Sequence, residues 1–261
     1  MLFRSEGPID MPSFAPDADR LTGTVLGHYR LTDFLSAGGS GVVYRAQRVA
    51  DFDQEVAVKI LDAPPCRSDA FSRFVSERQA LARLDHPHIC RLLDAGEMPS
   101  GMPYLVMELV EGGPIDRYCD SNRLGMRERV ERFADICEAV SFAHRHRILH
   151  RDLKPNNVLV DAFGRVRVTD FGLAKFIGNS PDESSRHTMT GEILGTPGYM
   201  SPEQAIGMGD TIGETTDVYG LGAILYALLV GRPPFRSDSV AGTILMVREQ
   251  PPVSPRLLDP D

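Results

Sequence analysis

Three stretches of this chain hold residues whose types and spacing could do chemistry. The first is Leu35-Ser36-Ala37-Gly38-Gly39-Ser40-Gly41-Val42-Val43-Tyr44. Glycines between two strand-like segments let the backbone approach a bound anion closely and offer N–H donors to phosphates. The same pattern also makes a plain hairpin turn. The second is Glu55–Leu61 (EVAVKIL), rich in β-branched residues. As a strand it puts Val56, Val58 and Ile60 on one face and Ala57, Lys59 and Leu61 on the other. A lysine in that row needs an anionic partner or an exposed edge. It is either a phosphate-binding lysine, its side chain held by Glu77 of the following helix, or an edge lysine that discourages aggregation. The third is His150-Arg151-Asp152-Leu153-Lys154-Pro155-Asn156-Asn157, with Asp170-Phe171-Gly172 following eighteen residues beyond Asp152.

The charge balance narrows what such groups can serve. With 28 Lys+Arg against 36 Asp+Glu the chain carries −8. A non-specific grip on nucleic acid needs a basic surface, so no nucleic-acid partner is expected. Phosphate must then be held by a local device, such as backbone N–H groups or a metal. Apolar content of 42% and charged content of 25% match an ordinary soluble globular protein.

The run H-R-D-L-K-P-N-N at His150–Asn157, with D-F-G at Asp170–Gly172 and V-A-V-K ending at Lys59, resembles the motif set of protein kinases. Within that family it is most similar to the eukaryotic-like serine/threonine kinases of bacteria. The resemblance runs from about Thr24 to the last residue. It implies an α+β, bilobal protein-kinase-like fold. The N-lobe would be a small antiparallel sheet with one main helix, and the C-lobe larger and mainly helical. It also implies ATP as phosphoryl donor, Mg²⁺ (or Mn²⁺ in its place) as metal, and serine or threonine hydroxyls of proteins as acceptors.

Roles follow from the resemblance, position by position. Ser36–Gly41, with Gly38 and Gly41, corresponds to the nucleotide-covering loop. Lys59 corresponds to the α/β-phosphate lysine and Glu77 to its helix partner, with Leu81 packing inward beside it. Tyr104–Val110 resembles the strand and hinge behind adenine. Met107 is then the gatekeeper, and the backbone from Glu108 to Val110 bonds the base. Leu35, Val43, Ala57 and Leu159 form the apolar sandwich around it. Asp170 and Asn157 supply oxygens that suit a hard cation. Asp152 accepts or orients the substrate hydroxyl proton, and Lys154 stabilises the γ-phosphate. Positioning and electrostatic stabilisation carry the rate of such a transfer. Lysine at Lys154 goes with Ser/Thr specificity, as does Gly195–Tyr199 with Thr196 near the acceptor hydroxyl. Thr188 and Thr190 resemble the paired autophosphorylation threonines of bacterial kinases, with Arg151 as partner of the added phosphate. Such a pair suits phosphorylation in trans within a transient homodimer. Asp217 would accept backbone N–H bonds from the catalytic loop. Taken singly, each of these residues is also read as a surface charge, a helix cap or a loop hydroxyl.

The elements that must position these groups are legible in outline. Residues 1–23 mix Pro, Asp and Ser without periodicity and read as a flexible leader. An N-lobe with hinge is expected over 24–110 and a C-lobe over 111–261. Tyr29–Leu35 and Val42–Ala46 read as strands joined by Ser36–Gly41, and Tyr104–Glu108 as another strand. Ser68–Leu84 has helical spacing. Met126–His146 places Val130, Phe133, Ala134, Cys137 and Val140 on one helical face. Val158–Val160 and Val166–Val168 read as short strands around a turn at Gly164. Gly178–Glu192 has no apolar period and reads as a loop. Asp217–Val230 is apolar on all sides, which predicts a helix buried in the middle of its domain.

Two departures from the family pattern stand out. Ser36 replaces the first glycine of G-x-G-x-x-G, while Gly38 and Gly41 remain. After Gly231–Phe235 a kinase continues through several more helices, whereas this chain stops at Asp261. A C-terminally truncated catalytic domain is therefore expected, with Glu203 lacking its arginine partner and apolar surface left on Asp217–Val230. Lys59, Glu77, Asp152, Asn157 and Asp170 are all present, which favours an active kinase over a non-catalytic, pseudokinase-like nucleotide-binding or scaffold module. The cysteines Cys66, Cys90, Cys119 and Cys137 form no C-x-x-C pair and read as free thiols. No signal peptide and no membrane segment are expected, and the location expected is cytoplasmic.

Overall fold

A computed structural model describes residues 20–49, 53–62, 81–172, 197–207 and 211–258. The N-terminal part is an antiparallel sheet of β1 (Val25–Leu26), β2 (Tyr29–Gly38), β3 (Gly41–Arg48), β4 (Glu55–Leu61), β5 (Leu92–Glu97) and β6 (Pro103–Glu108), in the order β1-β2-β3-β4-β6-β5. Its buried face comes from strand alternation. Leu31, Tyr44, Ala46, Val56, Val58, Ile60 and Val106 close into one apolar cluster. At roughly 1.5–3 kcal/mol for each large apolar side chain, that burial holds the sheet together.

Two features of this sheet differ from the pattern read in the sequence. The glycine-rich run does not end the strands. β2 and β3 stay paired as far as Gly38 opposite Gly41, leaving Gly39-Ser40 as a two-residue turn. Bulges absorb the register shifts, one of them between Phe34 and Ser36, at Leu35. β5 has no clean alternation and forms because β6 offers it a paired edge.

The C-terminal part comprises β7 (Gly112–Pro114), α1 (Ile115–Ser121), α2 (Met126–Arg145), β8 (Val158–Asp161), β9 (Val166–Val168), α3 (Pro202–Ile206), α4 (Glu214–Val230), α5 (Val240–Glu249) and α6 (Pro255–Leu258). Strands β7, β8 and β9 form a second antiparallel sheet. Ile115, Ile136, Val140, Val160, Ile224 and Leu228 belong to its core, and Leu84 joins them from the segment before β5. The fold is thus α+β and bilobal, as expected. The two lobes are stitched where Cys90 N–H donates to the Val168 carbonyl and Val168 N–H to that of His88, both at 2.8 Å.

Two helix faces correct the sequence reading. On α2 the buried residues are Ile136, Ala139, Val140 and Ala143, with Phe133 partly covered, while Val130 is 44% exposed. Both sets have helical spacing, and only the position of the neighbouring sheet selects between them. α4 is not enclosed on all sides. Asp217, Gly220, Ile224 and Leu228 lie on its covered side, and Val218 is 60% exposed. Among the described residues no helix is long and apolar enough to cross a membrane.

The β8–β9 turn is held by Asp161. One carboxylate oxygen accepts from the amides of Phe163 and Arg165, each at 2.9 Å, and the other from Arg165 Nε at 2.7 Å. Burial pushes the Asp161 carboxyl up, but those hydrogen bonds outweigh it and hold the group below its ordinary value of 3.8. Its stabilisation is therefore present above the unfolded chain's carboxyl pKa and is lost as pH falls through the lower folded value. Asp161→Ala should cost about 1–3 kcal/mol at neutral pH, by leaving donors unpaired. Thermal unfolding of both proteins across pH should show that gap narrowing below about pH 4.

Candidate active site

The lysine of β4 is not on an edge. β4 lies between β3 and β6, and Lys59 is 3% exposed. Its Nζ meets Asp170 Oδ2 at 2.7 Å, so the anionic partner it requires is present. Glu77, the partner expected from the sequence, lies outside the described residues. The register sets Val43 and Leu105 opposite Lys59 and puts Ala57 opposite Met107, so these side chains share the face away from the sheet's apolar cluster. Leu159 lies between Val158 and Val160, which point into the C-lobe core, and so faces the other way. Leu35, at the bulge, is 43% exposed.

The two loop glycines differ in kind. A Cβ on Gly41 would lie 2.0 Å from the Ile60 carbonyl oxygen, and its φ is +131°, so only glycine fits there. A Cβ on Gly38 would meet open space. Gly41 therefore serves close packing of β3 on β4, whereas Gly38 leaves room above the cleft.

At the back of the cleft Met107 lines a cavity of about 30 Å³ with Leu81, Asp170 and Phe171. Cys90 lines it too. Burial, then the nearby Glu108 and Asp170 carboxylates, push its thiol far up, so it stays protonated. The Glu108 N–H already donates to the Arg91 carbonyl at 3.0 Å. The Glu108 carboxylate faces Arg167 at 3.2 Å without an aligned hydrogen bond. Val110 is half-buried beyond it.

The loop 150–157 is built around Asp217, which is 1% exposed at the start of α4. The Asp217 carboxylate accepts from the amides of His150 at 2.8 Å and Arg151 at 2.7 Å, and faces His144 Nε2 at 2.7 Å. Gly220, one turn on, lets the loop lie against the helix: a Cβ there would sit 2.8 Å from Leu153 Cβ. His150 is buried, packs its ring tilted against that of Phe171 with centroids 4.7 Å apart, and joins the Thr169 carbonyl through Nε2 at 2.8 Å. The loop and the residue before Asp170 are thereby fixed to each other. Arg151 and Asp170 both adopt left-handed backbone, with φ of +68° and +66°. Such conformations persist in non-glycine residues only where the surroundings impose them.

Three polar side chains of the loop meet one another. Asp152 Oδ2 accepts from Lys154 Nζ at 2.7 Å and from Asn157 Nδ2 at 3.1 Å, and Asn157 Nδ2 also reaches the Asp152 carbonyl at 2.7 Å. The amide nitrogen of Asn157 thus serves the loop, and its amide oxygen remains to meet a cation. No cluster of three or more His, Cys, Asp or Glu among the described residues could hold a metal alone. That donor set fits Mg²⁺, which takes one or two protein oxygens and completes its shell with phosphates and water. The Arg151 guanidinium has no ion pair among the described residues. Thr188, Thr190 and Thr196 lie outside them, as does Cys66.

Several supporting residues escaped the sequence reading. His144 carries no spacing signal. Thr216 answers the question of the Glu203 carboxylate, since its hydroxyl donates to Glu203 Oε1 at 2.6 Å. Burial pushes Glu203 up, but the bonds from Thr216, its own amide and Ser201 outweigh it and hold the group low. Glu203, expected to lack an arginine partner, is met by a hydroxyl. Gln204 also donates to the Arg151 carbonyl, and its S-x-x-Q capping-box spacing from Ser201 was a readable signal. Asp217→Ala would leave the buried amides of His150 and Arg151 without an acceptor. It should lower unfolding free energy by about 3 kcal/mol or more in a denaturant titration.

The family model for the protein kinase domain matches residues 29–255. Serine/threonine-protein kinase PknB of Mycobacterium leprae is 39% identical over 229 residues, covering 85% of this chain and 36% of PknB. The DNA damage-responsive serine/threonine-protein kinase RqkA of Deinococcus radiodurans is 41% identical over 249 residues, covering 91% of this chain and 35% of RqkA. This chain thus spans little more than a third of the length of these curated relatives. The crystal structure of the Mycobacterium tuberculosis PknI kinase domain superposes with a TM-score of 0.67 at 25% identity, covering 92% of this chain and 84% of that one. With the lobes, the paired lysine and aspartate and the anchored loop in place, this chain belongs to the protein kinase domain family, among its bacterial serine/threonine kinase members.

Proposed function

We propose that this chain transfers the γ-phosphoryl group of ATP to serine or threonine hydroxyls of proteins. The observation that carries the reading is the convergence of Lys59, Asp170, Asn157, Asp152 and Lys154, each held by a named partner, at the seam between the lobes. Lys59 is buried and cationic, and it offers the α- and β-phosphates a charge that water screens little. The apolar face made by Val43, Ala57, Met107 and Leu159 receives the adenine, with the Glu108–Val110 backbone along its edge and Leu35 above. Gly38 leaves room for the phosphates under the β2–β3 turn.

Asp152 orients the acceptor hydroxyl and takes its proton as the oxygen attacks the γ-phosphorus, whose bond to the β,γ-bridging oxygen breaks to release ADP. Lys154 stands on that carboxylate and moves its charge toward the transferring phosphoryl group when substrate arrives. Mg²⁺, when bound through Asp170 and Asn157, supplies charge neutralisation at the phosphates. Glu77 steadies Lys59, and phosphate on Thr188 or Thr190, added in trans by a second copy, pairs with Arg151. The protein substrates bring the hydroxyl, and the use of ATP argues for a cytoplasmic domain.

Incubation with MgATP and a generic protein acceptor, read by intact mass and site mapping, tests this. Phosphate on serine or threonine is expected from the wild-type chain. Asp152→Asn should slow transfer by about 10²–10⁴-fold, and Lys59→Met should behave similarly. A folded wild-type chain that transfers nothing would favour the nucleotide-binding scaffold instead.

A further inference from the structure

Arg151 holds a left-handed backbone, with φ of +68°, directly before Asp152. Its own N–H is taken by Asp217 Oδ1 at 2.7 Å. The next peptide, which joins Arg151 to Asp152, is gripped at both ends. Its carbonyl oxygen accepts from Gln204 Nε2 at 2.6 Å, and its N–H donates to His150 Nδ1 at 3.3 Å. The Gln204 bond is the shorter of the two, and it comes from a distant segment, the one that carries Pro197–Tyr199 and α3.

The orientation of the Gln204 amide is itself determined. Its Oε1 accepts from the Ser201 N–H at 3.1 Å, while its own backbone N–H reaches Ser201 Oγ at 3.4 Å. Turning the amide over would set oxygen against the Arg151 carbonyl and N–H against N–H. The capping box alone does not call for glutamine, since glutamate caps equally well. An ionised glutamate could accept from Ser201 but could not donate to Arg151, whereas the amide does both at once.

We propose that Gln204 is a positioning residue that locks the Arg151–Asp152 peptide, and so couples the direction of the Asp152 carboxylate to the seating of residues 197–207. Its effect on turnover rests on the kinase reading, while the lock itself does not. If residues 197–207 shift, the peptide loses the bond at its carbonyl, and the left-handed residue before Asp152 loses one of its restraints. The acceptor-side segment and the base are then registered through one hydrogen bond.

The test compares the wild-type chain with Gln204→Glu, which keeps the cap but cannot donate when ionised, and with Ser201→Ala, which weakens the cap but keeps the donor. Two readouts are needed: amide hydrogen exchange of the 150–157 segment, and kcat and KM for ATP across pH. For Gln204→Glu we expect faster exchange in 150–157 and kcat lower by about 10–100-fold, as for a misplaced catalytic group. KM for ATP should hold. The kcat deficit relative to wild type should shrink toward acid pH, where a protonated glutamate can donate to the carbonyl again. Gln204→Met, which removes the donor without adding charge, should loosen the loop with no such pH dependence. Ser201→Ala should lower Tm and leave both readouts near wild type. Wild-type exchange and kcat in Gln204→Glu would overturn the lock, as would equal losses in Ser201→Ala. If the wild-type chain transfers no phosphate yet Gln204→Glu still loosens 150–157, the kinase reading falls and the lock stands.

Discussion

A single buried carboxylate sustains the site. Asp217 takes the amides of His150 and Arg151 and faces His144, and these bonds hold a loop whose backbone would otherwise leave its left-handed conformation. The charge is 1% exposed, so desolvation is expensive, and three hydrogen bonds offset it. From that anchor the rest follows outward. Asp152 and Asn157 are placed by the loop, and His150 carries the placement across to Thr169 and so to Asp170. Gly220 matters for the same reason, since any side chain there would push Leu153 and the loop off α4.

The second constraint is electrostatic and joins the lobes. Lys59 is contributed by the sheet and Asp170 by the segment after β9, and neither is left as a lone buried charge because they meet each other. The cleft thus holds its cation and its carboxylate in mutual reach. Incoming phosphates and a divalent metal would compete for and extend that pair, rather than having to create charged partners from scratch. At the back of the cleft Met107, Phe171 and the protonated thiol of Cys90 line a small cavity beside Asp170.

Much of this was legible in the residues. The spacing of His150–Asn157 and Asp170–Gly172 placed the polar groups, and the alternation of Glu55–Leu61 set the facing of Lys59. What was misread has a common cause. Helical spacing on α2 fits two faces equally, and only contact with the sheet and α4 selects Ile136 and Ala143 over Val130 and Ala134. An apolar helix such as α4 says that some partner is needed, but not on how many sides. β5 has little pattern of its own and is a strand because β6 is beside it. The glycine-rich run could have been a loose loop; pairing with β3 draws it into strand up to Gly38.

The sequence by itself therefore determined the identity of the candidate groups and their order along the chain, because type and spacing are local properties. It determined the strand and helix periods that carry them for the same reason. Only the tertiary structure decided that Lys59 is central rather than an edge lysine, that its described partner is Asp170, and that a threonine at position 216 meets Glu203. Those are contacts between residues far apart in the chain. Periodicity has no access to them, since they depend on which surfaces the folded backbone brings within a hydrogen bond's length of one another.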